Sequence, residues 1–244
     1  MDIKDSVVLV TGGNRGLGKA LVQAFLQAGA RKIYVASRTP IETSDPRLQP
    51  IQLDITNAQD ITAAAQTCQD VTILMNNAGI FANASTSLLT APSVDGARQD
   101  METNYFGTLA MVRAFAPILG KNGGGALVNM LSVLSWFTIP ISESYSASKS
   151  AALSLTQGIR IELREHGTLV TAVHAGYIDT DMAAGVNGPK TSPEDVAASI
   201  IEGIGNNQEE VLADQMSHEI KAALASNPQL FYQQFQAEWD NAQQ

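Results

Sequence analysis

The sequence is poor in cysteine and in basic residues. These shortages limit the disulfides that the chain can form and the partners that it can bind. Cys68 is the only cysteine among 244 residues, so the chain cannot form an internal disulfide. The 15 lysines and arginines are outnumbered by 24 aspartates and glutamates, which gives a formal net charge of -9. A negative surface of this kind disfavours nucleic acid and anionic membranes as partners.

Long apolar runs and targeting segments are also missing. The first residues, MDIKDS, are polar and lead directly into an apolar strand pattern, so no signal peptide is predicted. No apolar run is long enough to span a bilayer. Together with the lone cysteine, these features predict a cytoplasmic protein that binds neither membrane nor nucleic acid.

Apolar residues make up 45% of the chain, enough for one sizeable core. Strand patterns alternate with helical patterns along the sequence, which predicts an α/β fold with a doubly wound parallel sheet and helices on both faces. The predicted strands, about seven, cover 7–10, 32–37, 51–53, 71–75, 126–131, 169–174 and 210–213. The predicted helices cover 17–28, 57–68, 101–119, 143–166 and 195–203. One domain is expected over 1–244, with a helical tail at about 215–244.

The stretch from Val7 to Gly18, VVLVTGGNRGLG, is the most informative part of the chain. It predicts a strand, a glycine turn and the start of a helix. Glycine lets the backbone turn sharply and approach a ligand closely, and a helix N-terminus presents N–H groups that suit a pyrophosphate. The spacing differs from the commonest dinucleotide fingerprint, so an ordinary strand-to-helix turn remains the alternative.

Acid–base chemistry is indicated further along the chain. Tyr145 and Lys149 are four residues apart on a predicted helix and therefore share a face. A phenol titrates near about 10, and a nearby ammonium lowers that pKa, so the pair suits an alcohol/carbonyl interconversion. Ser132 ends the fifth predicted strand, at the edge where open α/β sheets bind ligands, and Ser135 is a nearby rival.

The sequence resembles the short-chain dehydrogenase/reductase family over roughly residues 6–214. The resemblance rests on motifs in the family's order: Thr11-Gly12-x-x-x-Gly16-x-Gly18, Asn76-Asn77-Ala78-Gly79, Asn104, Ser132 and Tyr145-x-x-x-Lys149. It implies a single Rossmann-like domain that interconverts a carbonyl compound and an alcohol by hydride transfer, without a metal. The implied catalytic residues are Asn104, Ser132, Tyr145 and Lys149, with Asn104 supporting a water relay and Lys149 also holding the nicotinamide ribose.

The cofactor implied by the resemblance is NADP(H). Relatives that use NAD carry an acidic residue at the end of the second strand, where this chain has Ser37 followed by Arg38. An arginine can bind the 2′-phosphate of NADP, and Arg15 matches a second basic position. A solvated strand-end charge is the alternative for Arg38. The expected cofactor residues are Gly12, Asn14, Arg15, Gly16, Leu17, Gly18, Ser37, Arg38, Asp54, Ile55, Asn77, Ala78, Gly79, Tyr145, Lys149, Gly176, Ile178 and Thr180.

The substrate end is expected to be apolar, which favours a hydrophobic ketone, aldehyde or secondary alcohol. The candidate substrate residues are Leu134, Trp136, Tyr177 and Met182, with Ser135, Phe137 and Ile139 nearby; packing in the core is the alternative for them. After the sixth strand the family usually has Pro-Gly, whereas this chain has Ala175-Gly176. His174, which precedes this pair, is interpreted as a strand-end residue whose polar atoms are hydrogen-bonded. Replacement of that proline by Ala175 predicts a looser loop.

Two other functions remain open on this scaffold. A halohydrin-type lyase would use a Ser-Tyr-Arg set without the dinucleotide loop, so Lys149 and the glycines disfavour it. A non-catalytic NADP(H) sensor is disfavoured by the complete catalytic set. A homodimer or homotetramer is expected through helices 101–119 and 143–166, with packing on the sheet as the alternative. The tail aromatics Phe231, Tyr232, Phe235 and Trp239 are expected to cover a pocket or a neighbouring subunit.

Overall fold

The computed structural model describes residues 1–82, 87 and 89–242. In this part of the chain, one sheet contains all of the following parallel strands: β1 (Val7–Thr11), β2 (Lys32–Ser37), β3 (Leu48–Gln52), β4 (Ile73–Asn76), β5 (Gly125–Met130), β6 (Thr168–His174) and β7 (Glu210–Leu212). Their order in the sheet is β3-β2-β1-β4-β5-β6-β7. The predicted α/β class and the number of strands are therefore confirmed.

Helices connect the strands and cover both faces of the sheet. They are α1 (Gly16–Gln27), α2 (Ala58–Thr67), α3 (Asp95–Met101), α4 (Thr108–Lys121), α5 (Glu143–Leu163), α6 (Pro193–Gly205), α7 (Gln215–Ser226) and α8 (Pro228–Ala242). A π-helical segment, Glu102–Gly107, joins α3 to α4 without a break. Within residues 1–82 and 89–242, no helix is both long enough and apolar enough to cross a membrane.

Alternate residues of the strands point to opposite faces, and this divides the core into two layers. Val8 and Val10 of β1 pack on the side of α1 and α6, in a cluster that includes Phe25. Val7 and Leu9 pack on the opposite side, with apolar residues of α2, α4 and α5. The same alternation recurs in the neighbouring strands, so the sheet is buried on both faces as a doubly wound fold requires.

The strand order reverses between β1 and β4, and this reversal positions the candidate site. From β1 the chain moves outward to β2 and β3, then returns to place β4 on the other side of β1. Such a switch point opens a crevice at the carboxyl ends of the strands. Thr11 ends β1 there, and its hydroxyl oxygen accepts hydrogen bonds from the backbone N–H groups of Asn77 and Ala78, each at 3.0 Å.

Two elements begin earlier than the sequence pattern predicts. Strand β3 starts at Leu48, ahead of the predicted 51–53, and it includes Pro50 opposite Val35. Proline is tolerated there because β3 is an edge strand, where a missing N–H need not break the ladder. The helix predicted from residue 101 begins at Asp95 instead. The sequence pattern does not indicate this earlier start, because the residues of α3 are mostly polar or small and show no apolar period.

The C-terminal helices pack against the segment that follows β5. Helix α7 begins with a capping box, in which the Asp214 carboxylate accepts a hydrogen bond from the Ser217 backbone N–H at 2.8 Å. Phe231 of α8 is buried, and its ring lies 5.0 Å from that of Phe137 and 4.9 Å from that of Phe235. This aromatic cluster fixes the tail beside the crevice, so the tail covers a pocket of its own chain.

Candidate active site

A cleft of about 830 Å³ opens at the carboxyl ends of the central strands. All the residues expected to hold the cofactor line it: Gly12, Asn14, Arg15, Gly16, Leu17, Gly18, Ser37, Arg38, Asp54, Ile55, Asn77, Ala78, Gly79, Tyr145, Lys149, Gly176, Ile178 and Thr180. Residues far apart in sequence thus converge on one surface. This convergence is consistent with a shared ligand, and the role of each residue stays a prediction.

The turn between β1 and α1 has the backbone geometry that phosphate binding needs. Gly12 and Gly16 have positive φ angles of 66° and 49°, a region that favours glycine. A Cβ atom at Gly18 would lie 2.0 Å from the Gly12 carbonyl oxygen, so no side chain fits there. The first turn of α1 carries no acidic residue, so its N–H groups and positive dipole end remain suited to an anion.

The two arginines expected to bind the cofactor have different partners. Arg15 pairs with Asp181 across the cleft, with Nη1 and Oδ2 2.9 Å apart and both side chains exposed. Arg38 is exposed and lies close enough to Asp54 for its charge to contribute to lowering the pKa of that carboxyl, an effect due first to a hydrogen bond from the Thr56 backbone N–H. Arg15 therefore already has an anionic partner, whereas Arg38 faces the cleft beside a carboxyl group.

Tyr145 and Lys149 lie one turn apart near the start of α5, as their spacing predicts. The Lys149 Nζ atom is 5.6 Å from the centre of the Tyr145 ring and donates a hydrogen bond to the Met130 carbonyl oxygen at 2.9 Å. The ring of Phe81 packs on the Tyr145 ring with 4.9 Å between centres. Ser132 follows the end of β5 by two residues and lies beside this pair, and its Oγ atom accepts a hydrogen bond from the Leu134 N–H at 3.1 Å.

Burial dominates the acid–base properties of the tyrosine and lysine. It raises the pKa of Tyr145 to about 12, although hydrogen bonding with Ser132 acts in the opposite direction. Burial also lowers the pKa of Lys149 to about 8. The expected lowering of the Tyr145 pKa by Lys149 is therefore not found in the protein alone, where desolvation of the phenol is the largest influence on that pKa. At neutral pH Tyr145 is a protonated phenol, the form that can donate a proton.

Asn104 lies behind the cleft and is fully engaged in holding other segments. Its Oδ1 accepts a hydrogen bond from the Ile80 N–H at 2.9 Å, and its Nδ2 donates to the Ile80 carbonyl and to Ser148 Oγ, also at 2.9 Å each. The side chain therefore fixes the segment after β4 against α5. The expected role of Asn104 in a water relay stays a prediction, since these hydrogen bonds show only which protein groups its side chain contacts.

The Ser135 side chain links the turn after β5 to His174, and these contacts disfavour it as the catalytic serine. It is buried, its Oγ donates to the Ser132 carbonyl oxygen at 2.6 Å, and the same atom lies 3.0 Å from His174 Nδ1. His174 is also buried, and its ring stacks on Trp136 with 4.1 Å between centres. Desolvation lowers the pKa of His174 to about 4. These contacts give His174 a structural place at the end of β6 and satisfy its Nδ1 atom, whereas its buried Nε2 has no hydrogen-bond partner among the described residues.

The cleft is lined by three of the four residues predicted for the substrate end, Leu134, Tyr177 and Met182. Trp136 lies outside, which corrects that prediction. The chain makes a 3₁₀ turn over Val133–Ser135, and this turn directs Leu134 into the cleft and Trp136 onto His174. Other apolar residues complete the walls, namely Ile80, Phe81, Phe137, Ile139, Val186, Met216, Ile220 and Phe235.

Several of these wall residues were missed by reasoning from motifs. Phe81 follows the Asn76–Gly79 motif by two residues, a proximity that could have indicated it. Met216 and Ile220 are four apart on α7 and share a face, but helical spacing alone does not reveal what a face covers. Only the docking of the tail onto the segment after β5 brings them to the cleft.

The sheet order and the glycine turn place the protein in the class of Rossmann-like doubly wound folds. The family model described as short chain dehydrogenase matches residues 6–190. The chain belongs to the short-chain dehydrogenase/reductase family.

Known proteins with similar sequences and structures agree with this assignment. Dehydrogenase/reductase SDR family member 7B from Xenopus tropicalis is 32% identical over 242 residues, covering 86% of this chain and 77% of its own. Short chain dehydrogenase pigC from Monascus ruber is 31% identical over 205 residues, with coverages of 77% and 67%. A crystal structure of a short chain dehydrogenase from Burkholderia cenocepacia in complex with NADP superposes with a TM-score of 0.91 at 40% identity, covering 96% of this chain and 99% of that one.

Proposed function

We propose that the protein is an NADP(H)-dependent oxidoreductase that interconverts apolar ketones or aldehydes and their alcohols. The observation that carries this proposal is the meeting of Ser132, Tyr145 and Lys149 in the same cleft as the glycine turn. A proton donor, a hydrogen-bonding hydroxyl and a cation thus surround one end of a groove whose other end suits a dinucleotide. Carbonyl reduction needs this combination.

The residues of the cleft fit a nicotinamide dinucleotide. The N-terminus of α1 suits its pyrophosphate, and Gly18 leaves the room that a side chain would fill. Arg38, exposed at the end of β2, suits a 2′-phosphate. The similar Burkholderia cenocepacia dehydrogenase was crystallised with NADP, which supports this choice. The bound cofactor supplies the hydride.

The side chains of this chain supply the proton and hold the substrate oxygen. The Tyr145 phenol donates its proton to the carbonyl oxygen while the new C–H bond forms, which leaves a phenolate. Ser132 donates a hydrogen bond to the same oxygen and steadies it. The positive charge of Lys149 favours the phenolate as it appears, and its position one turn away on α5 keeps it close. Alcohol oxidation follows the same path in reverse.

The walls of the substrate end favour an uncharged, apolar compound. Leu134, Phe137, Met216 and Phe235 supply apolar surface from two separate parts of the chain. Among the described residues that line this end, Lys149 is the only basic one, and its amine already contacts the Met130 carbonyl. A carboxylate or phosphate substituent on the substrate would therefore lack a partner.

We also infer that the protein forms a homodimer or homotetramer through the helices that the sequence indicates. Phe106, just before α4, is 49% exposed, and Ile161 on α5 is 76% exposed. Large apolar side chains on the outer faces of these helices support pairing with another copy. A cytoplasmic location stays a prediction from the sequence.

Cofactor oxidation with a panel of aromatic and aliphatic ketones and aldehydes tests the function. We expect turnover with NADPH, preferred over NADH, and a loss of at least about 100-fold in kcat for Tyr145→Phe, because the proton donor is removed. Tyr232→Phe, on the exposed tail, is the matched control and should keep full activity. Preference for NADH would overturn the cofactor assignment and keep the chemistry. Tight NADPH binding without turnover of any compound would favour a sensor.

A further inference from the structure

A fully buried carboxylate lies next to the candidate active site and has no part in the mechanism above. Asp100 of α3 has no exposed surface. Its Oδ1 accepts a hydrogen bond from the Ala82 backbone N–H at 2.8 Å, and its Oδ2 accepts one from the Ser144 hydroxyl at 2.6 Å. Burying a carboxylate costs free energy of folding that such hydrogen bonds only partly offset. The position therefore calls for an explanation beyond packing.

Both hydrogen bonds of Asp100 end beside residues that hold the phenol. Ser144 immediately precedes Tyr145 at the start of α5. Ala82 immediately follows Phe81, whose ring packs on Tyr145 with 4.9 Å between centres. Asp100 thus joins the helix turn that carries Tyr145 to the segment that packs on its ring.

The charge of Asp100 also reaches the tyrosine and the lysine. It raises the pKa of Tyr145, adding to the larger effect of burial, and it raises the pKa of Lys149 against the larger lowering by burial. The other titratable groups on elements around Tyr145 include Lys149 and Glu143 near the start of α5, Glu102 and Tyr105 on the π-helical segment and Tyr177 after β6. On α3 itself, Asp95 and Arg98 pair with each other in solvent, at 3.3 Å.

We propose that Asp100 is a positioning residue that fixes Tyr145 from behind. This inference rests on the proposed function. The carboxylate acts through two separable routes, its hydrogen bonds and its charge. Asp100→Asn removes the charge and keeps an oxygen that can accept from the Ala82 N–H. Ser144→Ala removes one hydrogen bond and keeps the charge.

The pH dependence of kcat for carbonyl reduction separates these routes. Loss of a negative charge lowers the pKa of both Tyr145 and Lys149, so the alkaline limb of the profile for Asp100→Asn should move to lower pH by about one unit. Ser144→Ala should keep the wild-type limb but lose about threefold to tenfold in kcat with little change in KM, because the phenol is less well placed. Asp95→Asn, an exposed acid on the same helix, is the matched control and should match the wild type.

The proposal is overturned if Asp100→Asn keeps the wild-type profile, if Asp95→Asn moves it equally, or if Ser144→Ala keeps the wild-type kcat. Thermal unfolding of each variant shows whether it folds, and if Asp100→Asn does not fold, the kcat of Ser144→Ala decides the positioning claim.

A measurement without turnover distinguishes failure of this proposal from failure of the proposed function. Phenolate absorbance, taken as wild type minus Tyr145→Phe, isolates the ionisation of Tyr145. The same difference in the Asp100→Asn background should show that ionisation at lower pH. An enzyme without carbonyl turnover but with this shift would overturn the proposed function alone. Turnover without the shift would overturn the role of Asp100 alone.

Discussion

At the scale of single residues, the two arginines of the cleft differ in how free they are to meet a phosphate. Arg15 is held by Asp181 at 2.9 Å, across the cleft. Arg38 projects into solvent beside Asp54, whose carboxyl is engaged with Thr56. A phosphate that approaches Arg15 must compete with a carboxylate, whereas one that approaches Arg38 meets an available guanidinium. Arg38 is therefore the residue on which discrimination between cofactors should depend.

Replacing Arg38 by alanine should raise the KM for NADPH by about tenfold or more and leave the KM for NADH nearly unchanged, because a charge-assisted hydrogen bond is lost only with the 2′-phosphate. Arg47→Ala removes an exposed arginine that pairs with Asp45 elsewhere on the surface and serves as the control. Steady-state kinetics with both cofactors provide the measurement. Equal losses for NADPH and NADH would show that Arg38 does not read the phosphate.

Some residues of the candidate site can be located from spacing, and others cannot. Ser132, Tyr145 and Lys149 follow from rules of position, since strand ends meet at one sheet edge and residues four apart share a helix face. The prediction that Trp136 lines the cleft is wrong, because a 3₁₀ turn directs its side chain elsewhere and spacing does not reveal such a turn. Asp100 has no signal at all, because a single acid on a polar stretch looks like a surface residue.

At the scale of elements, the end of β6 and the turn after β5 are held together by His174. Its Nδ1 lies 3.0 Å from Ser135 Oγ and 3.2 Å from the Ser132 carbonyl oxygen. Its Nε2 is 3.7 Å from Oε1 of Glu210, and the other carboxylate oxygen of Glu210 contacts Lys221. The imidazole thus lies beneath the turn that begins at Ser132, in a place where a positive charge is poorly solvated.

This burial predicts a loss of stability in acid. The pKa of His174 is about 4 in the folded protein, compared with an ordinary value of 6.5. As pH falls below 6.5, His174 therefore becomes protonated in the unfolded chain while it stays neutral in the folded protein. The stabilisation is complete above pH 6.5 and decreases by about 3 kcal/mol by pH 4. Urea unfolding at several pH values measures it. His174→Asn should show a shallower decrease, whereas His218→Asn, exposed on α7, should follow the wild type. Parallel curves for all three proteins would refute this role of burial.

Elements with an apolar period were predictable, and those without one were not. The observed bounds of helix α5 and of strands β1 and β2 agree closely with the predicted ones. Burial on one or both faces of an element requires apolar residues at regular intervals, and this period is visible in the sequence. Helix α3 is polar and lies at the side of the cleft, so its start at Asp95 could not be read. Strand β3 was shortened in the prediction by Pro50, which an edge strand accepts.

At the scale of the whole molecule, the tail helices α7 and α8 form one wall of the cleft at the carboxyl ends of the strands. Phe231 anchors α8 on Phe137, and Phe235 of the same helix lines the cleft. The tail aromatics indicate an apolar face in the sequence, yet only the packed structure shows which surface they cover. The fold could be predicted from alternating patterns, whereas the closure of the substrate end depends on this long-range contact.

Shortening Phe235 to alanine should weaken substrate binding without touching the cofactor. We expect the KM for apolar ketones to rise about tenfold, since part of a buried apolar wall is lost, while the KM for NADPH stays the same. Trp239→Ala, which removes a 37% exposed ring from the same helix, is the control. Unchanged substrate kinetics in Phe235→Ala, or an equal effect of Trp239→Ala, would place the substrate away from the tail.

The most direct test of the central claim, hydride transfer in this cleft with Tyr145 as proton donor, follows an isotope. NADPH labelled with deuterium on either face of C4 is incubated with the protein and a ketone, and the alcohol is analysed by mass spectrometry. We predict that label from one face appears on the carbon that bore the carbonyl oxygen, and that Tyr145→Phe forms almost no alcohol. Alcohol free of deuterium with both labelled cofactors, or full product formation by Tyr145→Phe, would contradict the account.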